Sequence, residues 1–173
     1  MAEENEFAVS VVTPERILLE GAAAEVVLRT AEGDSTYLAG HSDLVGAVEP
    51  GVLRVSGSSL DGGELRIALH GGFVQVESSP PVPPVVEGEE AALLSRGRVT
   101  VLAGVAELAS EIDVDRARAA LERAEARTTG LESERRGAAG EAEEPAGSEL
   151  AEARAALRRA QVRLEAAGTA DHA

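Results

Sequence analysis

Apolar and polar positions alternate along the first hundred residues of this chain, then recur every three or four residues in the last third. Phe7-Ala8-Val9-Ser10-Val11-Val12-Thr13 reads as a half-buried strand that Pro14 ends. Further β-rich runs lie at Arg16–Leu19, Glu25–Thr30, Thr36–Leu38, Val45–Val48, Val52–Val55, Leu65–His70, Phe73–Val76 and Val99–Leu102. Glu32-Gly33-Asp34, Glu49-Pro50-Gly51 and Asp61-Gly62-Gly63 punctuate them as turns. Many short strands with Gly-rich turns predict an antiparallel β-sandwich or barrel. Gly71-Gly72 precedes a strand and no helix, so it reads as a turn or bulge requiring positive φ.

Residues 77–98 interrupt the alternation. Pro80-Pro81-Val82-Pro83-Pro84 cannot donate to a sheet ladder, and the acidic Glu87-Gly88-Glu89-Glu90 follows. The stretch is expected to be an exposed, mobile insertion between two strands. From Ser110 the period changes. Val114, Ala117, Leu121, Ala124 and Thr128 step by three and four, and so do Leu150, Ala153, Leu157, Ala160 and Leu164. These stripes predict an antiparallel helical hairpin, with helices over about 113–128 and 148–167 and a flexible connector over 129–148. The expected class is therefore mainly β plus α, a β-sandwich over 1–110 followed by a hairpin over 111–173. An alanine stripe buries less apolar area than leucine, so the hairpin is expected to open or detach at modest cost.

Composition narrows the partners. The net charge is −15, aromatic residues make up 2% of the chain, and all 16 basic residues are arginine, as in proteins of high-GC, actinobacterial-like genomes. Residues 1–110 carry 6 basic against 17 acidic side chains, which argues against nucleic acid, whereas 111–173 carry 10 against 14. With no cysteine, disulfides and thiolate metal sites are excluded. The acidic start Met1-Ala2-Glu3-Glu4-Asn5-Glu6 lacks the apolar core of a secretory signal, and no run is long enough to insert in a membrane. A soluble, intracellular protein is expected, attached at most to a membrane complex.

Candidate chemistry centres on the junction Ile112-Asp113-Val114-Asp115-Arg116-Ala117. Asp113 and Arg116 stand three apart and share one face of a first helical turn. They either cap a helix or grip an anionic ligand. Ser110-Glu111-Ile112-Asp113 has capping-box spacing, which favours the cap. Glu107 upstream favours the grip, as do Arg154, Arg158, Arg159 and Arg163 on the second helix, where bidentate bonds to a triphosphate can form. A solvated face paired with Glu149 and Glu152 is the plainer fate for those arginines. His41, Asp43 and His70 are the one conceivable metal set, with His41 and Asp43 two apart on a strand, and nothing else supports it. No Gly-x-Ser-x-Gly elbow or phosphate-binding Gly-x-x-x-x-Gly-Lys-Ser/Thr loop is present, and no enzyme site emerges.

In order along the chain, six segments resemble the epsilon subunit family of the bacterial F-type ATP synthase. They are Phe7–Glu15, Glu32-Gly33-Asp34 leading to Gly40-His41, Pro50-Gly51-Val52-Leu53, Gly71–Val76, Val99–Ala103 and Ile112–Ala117. The resemblance implies a non-catalytic, peripheral subunit on the cytoplasmic side of the cell membrane. Its sandwich would grip the gamma subunit and touch the c-ring, and its hairpin would extend into the alpha/beta catalytic hexamer to brake ATP hydrolysis. Glu32, Gly33, Asp34, Gly40, His41 and Ser42 would then face the c-ring. No cofactor is required, and regulatory ATP is implied through the Ile/Leu-Asp-x-x-Arg-Ala motif: Ile112, Asp113, Arg116 and Ala117, with Glu107 and the second-helix arginines Arg154 and Arg158. Ser35, Thr36 and Ala39 depart from the Gly and Pro usual around the family's Gly-His turn, and both the 77–98 and 129–148 stretches are longer than usual. The rival readings are a stand-alone ATP-sensing module and a generic sandwich with a coiled-coil tail.

Overall fold

The computed structural model describes residues 5–57, 63–78, 93–94, 96–137 and 148–168. The chain divides into two compact units, Met1–Ala109 and Ser110–Ala173.

The first unit carries ten strands among the described residues: β1 (Phe7–Val12), β2 (Ile17–Ala23), β3 (Glu25–Thr30), β4 (Gly33–Tyr37), β5 (Leu44–Val48), β6 (Gly51–Ser56), β7 (Glu64–Leu69), β8 (Gly72–Glu77), β9 (Arg98–Ala103) and β10 (Ala106–Leu108). They run in the order β10-β7-β6-β3-β5-β8-β9-β1-β2, with β4 paired to β3. β10 approaches β2, so the sheet wraps almost closed. One pairing departs from the antiparallel expectation: β1 and β9 run parallel, Val9 opposite Val99 and Val11 opposite Val101. β10 was not anticipated, because three half-buried residues carry too short an alternation to register.

Inward positions of each strand supply the core. Phe7, Val9, Val11, Leu28, Leu53, Val55, Ile67, Val74 and Val101 are almost wholly buried. Gly72 explains its own identity. Its φ is 152°, and a Cβ there would collide with the Leu102 carbonyl of β9.

Turns collect at two ends. The β3–β4 turn, Glu49-Pro50, His70-Gly71 and Gly104-Val105 share one end, since Thr30 opposes Val48, Val48 opposes Gly72 and Gly72 opposes Ala103. The Leu38–Asp43 loop and Ser78 share the other, where Leu44 opposes Val76.

The insertion is narrower than expected. Glu77 belongs to β8 and Arg98 to β9, and the two are register partners. Leu94, a helical residue just before β9, is 1% exposed, so the end of the stretch is anchored in the fold. Pro80–Pro84 and Glu87–Glu90 lie outside the described residues.

In the second unit, a 3-10 turn at Ala109–Glu111 leads to helix α1 (Val114–Gly137) and then helix α2 (Glu149–Ala166). α1 continues well past the expected end near 128. The helical cost of Gly130, about 1 kcal/mol, is offset by the good formers Leu131, Glu132, Glu134, Arg135 and Arg136 that follow. The flexible connector expected over 129–148 is therefore helical as far as Gly137, and residues 138–147 lie outside the described residues. Both predicted stripes face inward: Ala117, Ala124 and Thr128 on α1, and Leu150, Ala153, Ala160 and Leu164 on α2, are buried. Leu121 and Leu157 are half-buried. Thr128 satisfies its buried hydroxyl by donating to the Ala124 carbonyl at 2.8 Å. Ser148 caps α2, its hydroxyl accepting from Ala151 N–H at 3.0 Å.

Candidate functional site

At the junction, Asp113 is the N-cap of α1. Its carboxylate accepts from the Arg116 N–H at 2.9 Å, and its carbonyl accepts from the Ala117 N–H at 2.9 Å. The expected capping box built on Ser110 is displaced by three residues, because Ala109–Glu111 is taken up by the 3-10 turn. Ile112 and Ala117 then occupy the two positions of a hydrophobic staple around the cap. Helix initiation thus accounts for Ile112, Asp113 and Ala117. It does not account for Arg116, which stands at the third helical position, where the positive end of the macrodipole favours an acid. Arg116 is exposed, and its guanidinium has no ion-pair partner among the described residues.

The structure separates the arginines that the sequence grouped. Arg154 donates to Glu132 at 2.8 Å, an ion pair that marks the register of the antiparallel hairpin. Arg116 precedes Glu132 by sixteen residues, roughly 24 Å along the axis and about 160° around it. Arg154 and Arg158 therefore do not converge with Arg116. Neither distance nor side is readable from an i, i+4 spacing, which fixes one helix and no register. Arg163, nine residues beyond Arg154, sits about 180° around α2 and about 13 Å closer to the Arg116 level. Arg123 and Arg127 follow Arg116 at steps of seven and eleven, on the same row of α1. By helical spacing, Arg116, Arg123, Arg127, Arg159 and Arg163 fall on one flank of the hairpin, strung over about 17 Å of its length. Arg123 and Arg127 were missed; their spacing from Arg116 was the signal.

Glu107 lies on β10 and approaches His70 Nε2 at 3.2 Å, with the His70 side chain only 4% exposed. It is committed to an interaction inside the sandwich. The candidate metal set does not assemble either. His41 and Asp43 lie on a loop and no strand: His41 Nδ1 is 2.9 Å from the Ser42 carbonyl, and Asp43 accepts from the Ser78 N–H at 2.6 Å. His70 is at the opposite end of the sandwich. Among the described residues no cluster has metal-ligand composition.

The proposed c-ring contact also divides. Gly33 and Tyr37 bound β4, so Glu32, Gly33 and Asp34 lie at one end of that strand and Gly40, His41 and Ser42 beyond the other. About 13 Å of strand separates the two turns. Glu15, Glu32, Asp34 and Glu49 are exposed at the first end, with Arg29 reaching Asp34 at 3.5 Å. Bordering it, the outer sheet face shows an apolar row: Ala47 opposes Phe73, Phe73 opposes Leu102, Leu102 opposes Val12 and Val12 opposes Ile17. Phe73 and Ile17 are each 59% exposed. A bare apolar row of this size marks a contact surface.

A near-closed sandwich with an acid-rimmed apolar row, followed by an alanine-seamed helical hairpin, has the features of an assembly subunit. Residues 6–80 match the family described as ATP synthase delta/epsilon chain, beta-sandwich domain, and residues 110–168 match its long alpha-helix domain. An ATP synthase epsilon chain of Thermobifida fusca is 40% identical over 131 residues, covering 75% of this chain and 82% of its own length. That of Symbiobacterium thermophilum is 38% identical over 168 residues, covering 96% of each. A chain in the Euglena gracilis mitochondrial ATP synthase OSCP/F1/c-ring structure shares the fold, with a TM-score of 0.55 at 21% identity over 95% of this chain and 78% of that one. The chain belongs to the ATP synthase delta/epsilon chain family.

Proposed function

We propose that this chain is the non-catalytic central-stalk subunit of a bacterial F-type ATP synthase, linking gamma to the c-ring and restraining ATP hydrolysis through its hairpin. The observation that carries the reading is the family match over both units. As a subunit of a membrane-bound assembly it is peripheral; no described helix is long and apolar enough to cross a membrane.

The two ends of the sandwich suggest a division of labour. The acidic rim of Glu15, Glu32, Asp34 and Glu49 suits basic polar loops of the c-ring. The apolar row of Val12, Ile17, Ala47, Phe73 and Leu102 suits gamma, because desolvating it supplies affinity where charge supplies orientation. The hairpin would then be free to serve the alpha/beta hexamer.

Regulatory ATP is proposed on the arginine flank, with Arg116 the anchor and Arg163 its nearest partner from α2. Arg154 and Arg158 are left out of this site, because Arg154 pairs with Glu132 far along the hairpin from Arg116. Co-purification of the full-length chain with gamma and the c-ring tests the central role, and a 1–109 truncation should retain that binding. No affinity for the gamma subunit of the same organism would end the proposal. Calorimetry with millimolar ATP tests the latch: heat for the native protein and little for Arg116→Ala is expected.

A further inference from the structure

A cavity of about 570 Å³ opens on the outer face of β9, β1 and β2, a volume within the range of small-molecule sites. Register explains why the sheet surface sinks there. Ala8 opposes Arg98, and Ser10 opposes both Thr100 and Glu20. Two short side chains of β1 therefore lie between a long cation on β9 and a carboxylate on β2. Leu93 and Leu94, just ahead of β9, form an apolar wall, and Leu94 is held there at 1% exposure. Arg98, Ser10 and Thr100 are half-buried, and Glu20 is exposed. Arg98 opposes Glu77 across β8 and β9, where opposite charges attract, yet no ion pair joins them among the described residues. Nor do the side chains of Ser10, Glu20 or Thr100 hydrogen-bond to others among those residues. A half-buried guanidinium has lost part of its water and gained no acceptor in return, a condition that a ligand relieves.

We propose that this cavity binds a short zwitterion with an aliphatic body, of the dipeptide class. Arg98 takes the carboxylate in a two-pronged grip, and Glu20 takes the ammonium. The Ser10 and Thr100 hydroxyls meet the polar atoms between them, and Leu93 and Leu94 receive the aliphatic side chains. Charge selects the class. The cavity offers one head of each sign, so a simple anion meets the Glu20 carboxylate as a repulsive neighbour, and a simple cation meets Arg98 in the same way. A triphosphate is disfavoured, because one arginine beside one acid cannot neutralise it. Spacing selects the size. Glu20 and Arg98 lie two strands and two residues apart, roughly 12 Å between Cα positions. Side chains stand roughly perpendicular to a sheet, so the two heads are held apart by a distance that a dipeptide and its hydrogen bonds span. All of these residues belong to the first unit, so the site is independent of the central-stalk reading.

NMR titration of the full-length protein with leucyl-leucine tests the site. Binding at millimolar concentration is expected, with the Ser10 and Thr100 amides among the most shifted. Two blocked analogues separate the heads: N-acetyl-leucyl-leucine keeps only the carboxylate, and leucyl-leucinamide keeps only the ammonium. Each should bind about tenfold more weakly than the parent. Arg98→Ala should weaken leucyl-leucine about tenfold and leave leucyl-leucinamide within about twofold of its native affinity. Glu20→Gln should weaken leucyl-leucine and leave the acetylated analogue unharmed. Arg98→Lys, which keeps the charge and loses the fork, should fall between native and Arg98→Ala. No saturable binding at about 20 mM leucyl-leucine overturns the proposal, as do shifts that spare Ser10 and Thr100. Equal affinity for the peptide and both analogues also overturns it, because apolar contact alone would then hold the ligand. Should Arg98→Ala lose every ligand alike, Arg98→Lys decides: full native affinity in that variant overturns the two-pronged grip.

Discussion

The sandwich and the hairpin are held together by different sizes of side chain, and that difference matches what each is asked to do. Leu28, Leu53, Ile67 and the inward valines fill the sandwich, each fully buried and touching several strands. The hairpin seam is made of Ala117, Ala124, Ala153 and Ala160, with leucines toward its ends. At about 25 cal/mol per Å² of apolar area removed from water, an alanine seam contributes a fraction of what a leucine core does. A hairpin so seamed is expected to open at lower cost than the sandwich.

Mutations can break or sharpen that contrast. The largest effect is expected for Leu53→Ala, which should lower sandwich stability by about 2–5 kcal/mol in denaturant unfolding. Ala160→Gly in the seam should cost only about 1 kcal/mol, read as helical signal in the same titration. Equal losses from the two would abolish the distinction. Gly72→Ala comes next, at about 1–3 kcal/mol for strained backbone plus the encounter with the Leu102 carbonyl, visible as a lowered melting temperature. Asp113→Ala removes the α1 cap and should cost the hairpin about 1 kcal/mol, while leaving near-ultraviolet signals of the sandwich in place. Arg154→Ala breaks an ion pair whose side chains are 50% and 40% exposed, so a loss below about 1 kcal/mol is expected, shrinking further with salt.

The smallest effect concerns pH. Hydrogen bonds from Ser78 depress the Asp43 carboxyl in the folded protein. Its contribution is therefore fully present above the unfolded carboxylate value and lost as pH falls through the lower folded one. Carboxyl NMR should show Asp43 titrating below an ordinary aspartate, and Asp43→Asn should flatten that part of the acid limb. A midpoint at or above the ordinary value would contradict the hydrogen bonds from Ser78 to Asp43.

Legibility in the sequence followed the physics of range. Period-2 and period-3.6 patterns are local, so nearly every strand and both helices could be read, their ends drifting by a few residues. The exceptions were β10, too short for a pattern, and the end of α1, where Gly130 was outweighed by its neighbours. The motif Ile112–Ala117 was readable as either a cap or a grip. The structure shows the cap: Asp113 starts the helix, with Ile112 and Ala117 flanking it, while the grip rests on the proposal for Arg116.

What the sequence alone determined is which residues face inward and where each element begins, because those depend on the chemistry of neighbours a few positions apart. Only the tertiary structure decided which side chains meet. The hairpin register, marked by the Glu132–Arg154 pair, puts Arg154 and Arg158 on the flank opposite Arg116. Strand β4 sends Asp34 and His41 to opposite ends. The roots of the β8–β9 segment close on a loop thirty-five residues upstream, through Asp43 and Ser78. Register, side and end are set by pairings between distant segments, and no local spacing encodes them.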